Sequence, residues 1–316
     1  MVKKDQHIVR RKNGKNFTYY YNNGRKVNDK NTLEHINKIR IPPAYHNVMI
    51  NGNKNAKLLA IGLDDAERKQ YLYNPKWVEK QSKKKYEKMA KFGEKLPKIK
   101  RDIAKYLNSK KMSKEKIIAL VLRIILLCNF RIGNESCKNA YNSFGISTIN
   151  RSKVKIDSNK VTFDFIGKKG VRNVCSMRDP TSIKIIKTLY KQSHSKNHFF
   201  SVKIEDNIYK ITSHDINNFL KKYGDFTAKD FRTWVANVEF IKDLLKHQMS
   251  DKITHRKKAT RESIKNTAEK LHHTPAICKK SYIHNAVIDL YIEKPKKFNS
   301  VFKGDPEKGF ISFVKH

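Results

Sequence analysis

Between Leu271 and His284 the sequence reads LHHTPAICKKSYIH, which gathers three imidazoles, two ammonium groups and one phenol within fourteen residues. Such groups hold and exchange protons beside an anion, so the stretch reads either as part of an active site or as a surface helix that carries a tyrosine. Thr274 is a good N-cap and Pro275 suits a first helical position, so a helix starts here. Continued to about Tyr291, it aligns Ile283, Val287 and Leu290 with Ala276. At about 100° per residue, Tyr282 then lies roughly 110° from the centre of that stripe. That is no ordinary core position, although a half-exposed tyrosine with a wet hydroxyl would read the same way.

Three other residues raise the same question. Arg131 follows directly on an apolar helix, in NFRIGNES, so its guanidinium starts from the domain interior and needs an anionic partner, which could be Glu135. Arg232, in KDFRTWVAN, borders the apolar face formed by Phe231, Trp234, Val235, Val238 and Ile241. Lys168, in FIGKKG, stands at a hairpin tip, where a lysine is usually solvated.

The elements that must position these residues can be outlined from pattern alone. Residues 1–76 carry short aromatic or alternating runs, FTYYY, AYHNVMI and KQYLYN, separated by Asn-Gly turns at Asn13, Asn23 and Asn51. That is the signature of a small β-rich domain. Residues 77–112 form a basic, partly helical linker leading into the second domain, and residues 113–316 a larger, mainly α domain. In it Ser113 caps a helix, SKEKIIALVLRIILLCNF, that is apolar almost all round and so belongs at the centre. A three-stranded meander follows at 154–156, 161–166 and 171–175, with Lys168 between its last two strands. Helical patterns then run from Thr181 to Lys191, Ser213 to Tyr223, about Lys229 to Lys246, and Thr260 to Leu271. The fold class is α+β.

Charge narrows the partner. The 316 residues hold 69 Lys and Arg against 29 Asp and Glu, a formal net charge of +40, so polyanions are attracted and nucleic acid is the expected partner. No stretch approaches the roughly 18 apolar residues of a membrane span, and Met1–Arg10 lacks the apolar core of a signal peptide. A soluble, intracellular protein associated with nucleic acid is expected. Cys128, Cys137, Cys175 and Cys278 lie far apart without a C-x-x-C pair, so reduced thiols are expected, with neither a zinc site nor a disulfide framework.

Taken together and in order, an arginine after a buried helix, a hairpin lysine, Lys229-x-x-Arg232, His273-Thr-Pro and a tyrosine nine residues after that histidine resemble the poxvirus-type and bacterial type IB DNA topoisomerases. The resemblance runs from RKQYLYNPKW through FGEKLPKIK, FRIGNESCKNAYNSFGISTI, FDFIGKKGV and KDFRTWVAN to HHTPAICKKSYIH, nearly the whole chain. It implies that Tyr282 is the nucleophile and that Arg131, Lys168, Arg232 and His273 surround the scissile phosphate of double-stranded DNA. It also implies a 3′-phosphotyrosyl intermediate, with supercoils released by rotation of the free 5′ strand and no need for metal, cofactor or ATP. Two arginines and a histidine suit the charge on a five-coordinate phosphorus, and a lysine suits protonation of the departing 5′ oxygen. Lys169 or Arg172 could supply that proton equally well on spacing alone.

By the same resemblance Gln70, Tyr71 and Tyr73 contact DNA from the small domain, Asn237 lies near the phosphate, and a monomer clamps the duplex. The chain departs from the poxvirus branch at Asn134, Cys137 and Lys169. A tyrosine recombinase would use a similar set, but usually shows His-x-x-Arg where this chain has Lys229-Asp230-Phe231-Arg232, and its amino-terminal domain is typically helical. A basic DNA-packaging protein would account for the charge and leave the five-part constellation unexplained.

Overall fold

The computed structural model describes residues 7–192, 195 and 197–315, and the chain divides into two units, Met1–Lys85 and Tyr86–His316. In the first, strands β1 (His7–Asn13) and β2 (Asn16–Tyr21) form a hairpin turned at Asn13-Gly14, where Gly14 takes a φ of 59° that a side chain would oppose. Helix α1 (Lys30–Ile39) follows, capped by Asp29, whose side chain accepts from the Thr32 N–H. Strands β3 (His46–Asn51), β4 (Leu58–Leu63) and β5 (Lys69–Tyr73) complete an antiparallel sheet in the order β2-β1-β3-β4-β5. Its own core is Ile8, Val27, Ile36, Val48, Ile50 and Ala60.

Helix α2 (Pro75–Leu107) begins beside the boundary expected at residue 76 and runs through most of the stretch expected to be a partly helical linker. Its apolar stripe, Met89, Phe92, Leu96, Ile99 and Ile103, is fully buried in the second unit. At Gly93 an added Cβ would lie 2.3 Å from the Trp234 ring, so the missing side chain is what lets the indole sit there.

Helix α3 (Lys114–Cys128) is the expected central helix. Ser113 caps it by accepting from the Lys116 N–H, and nearly every residue from Lys116 to Ile125 is buried. Next come α4 (Glu135–Tyr141) and the meander β6 (Val154–Ile156), β7 (Val161–Ile166) and β8 (Arg172–Met177), which buries Val161, Phe163 and Phe165 on one face. Helix α5 (Pro180–Gln192) leads to a hairpin, β9 (Ser201–Ile204) and β10 (Asn207–Lys210), so the unit holds a second small sheet where only one was expected. Helices α6 (Ser213–Lys221), α7 (Ala228–Leu244) and α8 (Ile253–Lys270) follow.

The single helix expected from Pro275 to about Tyr291 is broken. It forms α9 (Pro275–Ser281) and α10 (Asn285–Glu293), with Tyr282 as the C-cap of the first at φ −126° and ψ −45°. Helices α11 (Pro295–Phe302) and α12 (Pro306–Lys315) close the unit.

The cysteines correct a second expectation. Cys128, the last residue of α3, and Cys175 on β8 form a disulfide across 47 residues of sequence, with their Cα atoms 5.7 Å apart. Packing of the central helix against the edge strand brings them together, which sequence spacing does not reveal. Cys278 is a buried free thiol, and the Cys137 side chain lies outside the described residues. Peptide mapping under non-reducing conditions is expected to find the Cys128–Cys175 cross-link, and Cys128→Ser to lower the unfolding free energy by about 2–4 kcal/mol in denaturant titrations.

Candidate active site

Each side chain of the site is set by a local device. Helix α3 ends with Asn129 in the left-handed region, and the fully buried Phe130 then packs edge-on against Phe163 and Phe165 of β7. Arg131 comes next, its carbonyl held by the Ile146 N–H at 2.8 Å. Arg232 lies in the second turn of α7, whose start is fixed by Asp230 accepting from the Thr227 N–H. After α8, His272 takes a φ of 52° and its Nε2 reaches the Cys128 carbonyl at 3.3 Å. That reversal turns His273 the other way, and its N–H bonds to the Ala268 carbonyl.

The result is an imidazole between two guanidinium groups. Arg131 Nη2 lies 2.8 Å from His273 Nδ1, and Arg232 Nη2 lies 2.6 Å from His273 Nε2. A neutral imidazole carries one N–H and one lone pair, so it can accept from only one of them at a time. Burial and then the two arginines push the His273 pKa down to about 3, so protonation gives no relief at neutral pH. Arg232 is 3% exposed, and burial followed by the neighbouring Arg131 lowers its pKa to about 10. Its Nη2 also donates to the Leu271 carbonyl, while Nε and Nη1 are buried without a hydrogen-bond partner among the described residues. Among those residues no carboxylate pairs with either arginine. Glu135, the alternative partner for Arg131, lies 3.5 Å from His198 and 3.9 Å from Lys138 instead.

Tyr282 adjoins this nest. Its ring centroid is 4.6 Å from that of His273 and 5.9 Å from Arg232 Cζ, and the residue is only 8% exposed. Four residues from three chain segments therefore meet: Arg131, Arg232, His273 and Tyr282.

Lys168 is not among them. It is exposed on a single 3-10 turn at the β7–β8 tip, and no hydrogen bond or ion pair joins it to the nest among the described residues. That tip is tightly built, with Lys169 at φ 64°, Gly170 at φ 74°, and Gly167 so close to Asn173 that a Cβ would lie 2.5 Å from its Nδ2. Of the other cations on the hairpin, Arg172 is engaged, with bonds of 2.9 and 2.6 Å to the two carboxylate oxygens of Asp164.

The residues expected to contact DNA separate into three environments. Asn237 is fully buried with both ends of its amide occupied: Nδ2 donates to the Thr233 and Tyr282 carbonyls, and Oδ1 accepts from the His284 N–H. It braces the backbone around Tyr282 and does not face solvent. Gln70 lies on the opposite face of β5 from the tyrosines, its Nε2 donating to Asp64 at 2.9 Å. Tyr71 and Tyr73 are exposed and stacked at 6.3 Å, and Tyr73 stacks in turn on Trp77 at 4.6 Å with Lys57 Nζ above the indole. The sequence reading passed over Trp77; its spacing of four from Tyr73, across the helix start at Pro75, was the available signal. Among the described residues no helix is long and apolar enough to cross a membrane, and no three His, Cys, Asp or Glu side chains group as metal ligands.

Comparison with known proteins agrees with this architecture. Residues 74–304 match the family of the eukaryotic DNA topoisomerase I catalytic core, and residues 16–64 match the bacterial DNA topoisomerase IB N-terminal domain. The chain is 34% identical to DNA topoisomerase 1B of Acanthamoeba polyphaga mimivirus, over 98% of this chain and 94% of that protein. It is 23% identical to DNA topoisomerase 1B of vaccinia virus (strain Copenhagen), over 93% and 96% of the two chains. Identity to DNA topoisomerase 1 of rabbit fibroma virus is also 23%, over 85% of each. The chain belongs to the type IB DNA topoisomerase family.

Because the folded-state pKa of His273 lies below its ordinary 6.5, the unfolded chain binds the proton more readily. The stability this confers is complete above about pH 6.5 and is lost as the pH falls from there towards 3. Denaturant titrations across that window are expected to show a shallower acid-side decline for His273→Asn than for the wild type.

Proposed function

We infer that the protein relaxes supercoiled double-stranded DNA without ATP, by transient cleavage of one strand. The observation that carries this reading is the placement of a phenol beside a histidine held between two arginines, with no carboxylate pairing with either arginine among the described residues. Such a nest is built for an anion supplied from outside the chain, and a phosphodiester fits its donors.

In the reaction the Tyr282 oxygen bonds to phosphorus, the bond from phosphorus to the 5′ oxygen breaks, and the phenolic proton is released to solvent. Arg131, Arg232 and His273 donate to the non-bridging oxygens as charge grows on them. A phosphate oxygen placed beside the imidazole would also take its N–H, removing the conflict between two guanidinium donors and one lone pair. Lys168 gives a proton to the departing 5′ oxygen, since an alkoxide leaves poorly. The phosphotyrosyl ester conserves the energy of the broken bond, so the 5′ hydroxyl, after rotating, attacks phosphorus and regenerates the phenol.

Tyr71 and Tyr73, with Trp77 and Lys57 beside them, offer the first unit's polar and aromatic contact to DNA. The net charge of +40 supplies affinity that does not depend on sequence and falls with salt. The two units act together as a monomeric clamp on the duplex.

Tyr282→Phe is expected to bind duplex DNA as the wild type does and to form no covalent adduct on a nicked suicide duplex resolved by denaturing gel; adduct formation by that variant would remove Tyr282 from its role. Lys168→Ala is expected to cleave slowly on ordinary DNA and to recover when the 5′ bridging oxygen is replaced by sulfur, a better leaving group. Failure of the sulfur substrate to restore cleavage assigns the proton to another group.

A further inference from the structure

The nucleophile sits at a break in the chain, and what holds the break is visible. Between α9 and α10 the helical hydrogen-bond ladder stops, so the Tyr282 carbonyl and the His284 N–H need partners from elsewhere. Asn237 meets both, as described above. The Tyr282 carbonyl has a second lone pair, and it accepts from the Tyr86 hydroxyl at 3.2 Å, a buried contact that spans 196 residues of sequence. The Tyr86 ring also stacks on the His284 imidazole with centroids 3.8 Å apart, and His284 in turn meets the edge of Phe313 from α12. Tyr86 is 5% exposed, and burial raises its pKa above the ordinary phenol value, so it stays a hydrogen-bond donor throughout the neutral range.

We propose that Tyr86 is a positioning residue for the cleavage reaction: its hydroxyl, opposite the Asn237 amide, fixes the peptide plane after Tyr282 and thereby aims the phenolic oxygen at the phosphorus. This rests on the assignment of Tyr282 as nucleophile. With donors from α2 and α7 converging on one carbonyl oxygen, rotation of that peptide plane must break a buried hydrogen bond. With only one donor the plane can tilt, and the Cα–Cβ direction of Tyr282 tilts with it. Tyr86 touches the main chain behind the nucleophile and has no part in the chemistry itself. Its residue type carries no sign of this in the sequence, where it stands in the lysine-rich run KKKYEK.

The test is single-turnover cleavage by wild type, Tyr282→Phe and Tyr86→Phe on a suicide duplex, together with non-covalent DNA affinity and thermal stability. Tyr86→Phe keeps the ring on His284 and loses only the hydroxyl. Since a misplacement on the order of 1 Å can cost about 100-fold, the partial release expected here lowers the cleavage rate constant about tenfold. DNA affinity and the final amplitude of covalent adduct remain those of the wild type. Religation of preformed adduct slows by a similar factor, because the same plane is held in both directions.

A purely structural role gives a different pattern: a lower melting temperature and a smaller amplitude from partly unfolded enzyme, with the rate constant of the folded fraction unchanged. That pattern, or cleavage within twofold of wild type, overturns the proposal. Should Tyr86→Phe not fold, Tyr86→His, which keeps an aromatic ring and an N–H donor, is expected to retain a rate nearer wild type than Tyr86→Leu; equal rates in those two overturn it as well. If wild type and Tyr282→Phe give the same adduct, the assignment of the nucleophile fails, and the proposal fails with it.

Discussion

Two guanidinium groups aimed at one imidazole, with no acid among the described residues to neutralise them, are the constraint around which the larger unit is arranged. Like charges held this close repel, and burial strengthens the repulsion because there is little water to screen it. The neutral His273 separates Arg131 from Arg232 without resolving the conflict, since one imidazole lone pair cannot satisfy two donors. A fold can keep such an arrangement only if it is determined elsewhere. Phe130 is sunk between Phe163 and Phe165, Arg232 is tied to the Leu271 carbonyl, and the left-handed turn at His272 fixes the direction of His273. The stability given up at the nest is offset by the apolar core that surrounds it. Much of the alignment needed to meet an anionic transition state is therefore completed during folding, which is the advantage of preorganised charge.

Tyr282, the proposed nucleophile, is placed by a different means. A tyrosine within an unbroken helix would point where the wheel sends it, and its position would change only with the whole helix. Ending α9 at Ser281 and restarting at Asn285 frees the intervening backbone from helical geometry and exposes its polar groups to capture by side chains. Asn237, whose amide is both donor and acceptor, suits a site that presents one carbonyl and one N–H two residues apart. An aspartate there could not donate to the carbonyl, and a leucine of similar size would leave both groups buried and unpaired.

Several of these features were legible in the sequence. The central helix, its serine cap, the meander and the Thr-Pro helix start are local signals, and each lies where its residues indicate. Arg131, Arg232, His273 and Tyr282 could be named because their order and spacing resemble those of the type IB topoisomerases, although no single one was persuasive alone. The break at Tyr282 was not legible. SYIHNAV has the composition of a continuous helix, and the partners that stabilise the interruption come from α2 and α7, far away in sequence. The Cys128–Cys175 disulfide was hidden for the same reason: its two residues meet only once α3 has packed against β8. Asn237 was legible only in part. The family resemblance implies a place near the phosphate, and the structure adds what the sequence does not show, that its amide satisfies an internal backbone gap.

The proposed general acid stands apart from the fixed nest, and the chemistry gives a reason for this difference. In the proposed reaction, Arg131, Arg232 and His273 need to be in place before the phosphate arrives, because their contribution would depend on avoiding reorganisation as charge develops. A lysine buried among them would add a third cation to a site already strained by two, and desolvation and repulsion together would favour loss of its proton before it was needed. Held instead at the exposed tip of a two-stranded hairpin, Lys168 is open to water. The tip owes its shape to Lys169 and Gly170 in the left-handed region, so the lysine is presented on a defined turn rather than a loose loop. Under the proposed mechanism, separating the acid from the anion-binding cations would let one site keep two charged arginines and still deliver a proton.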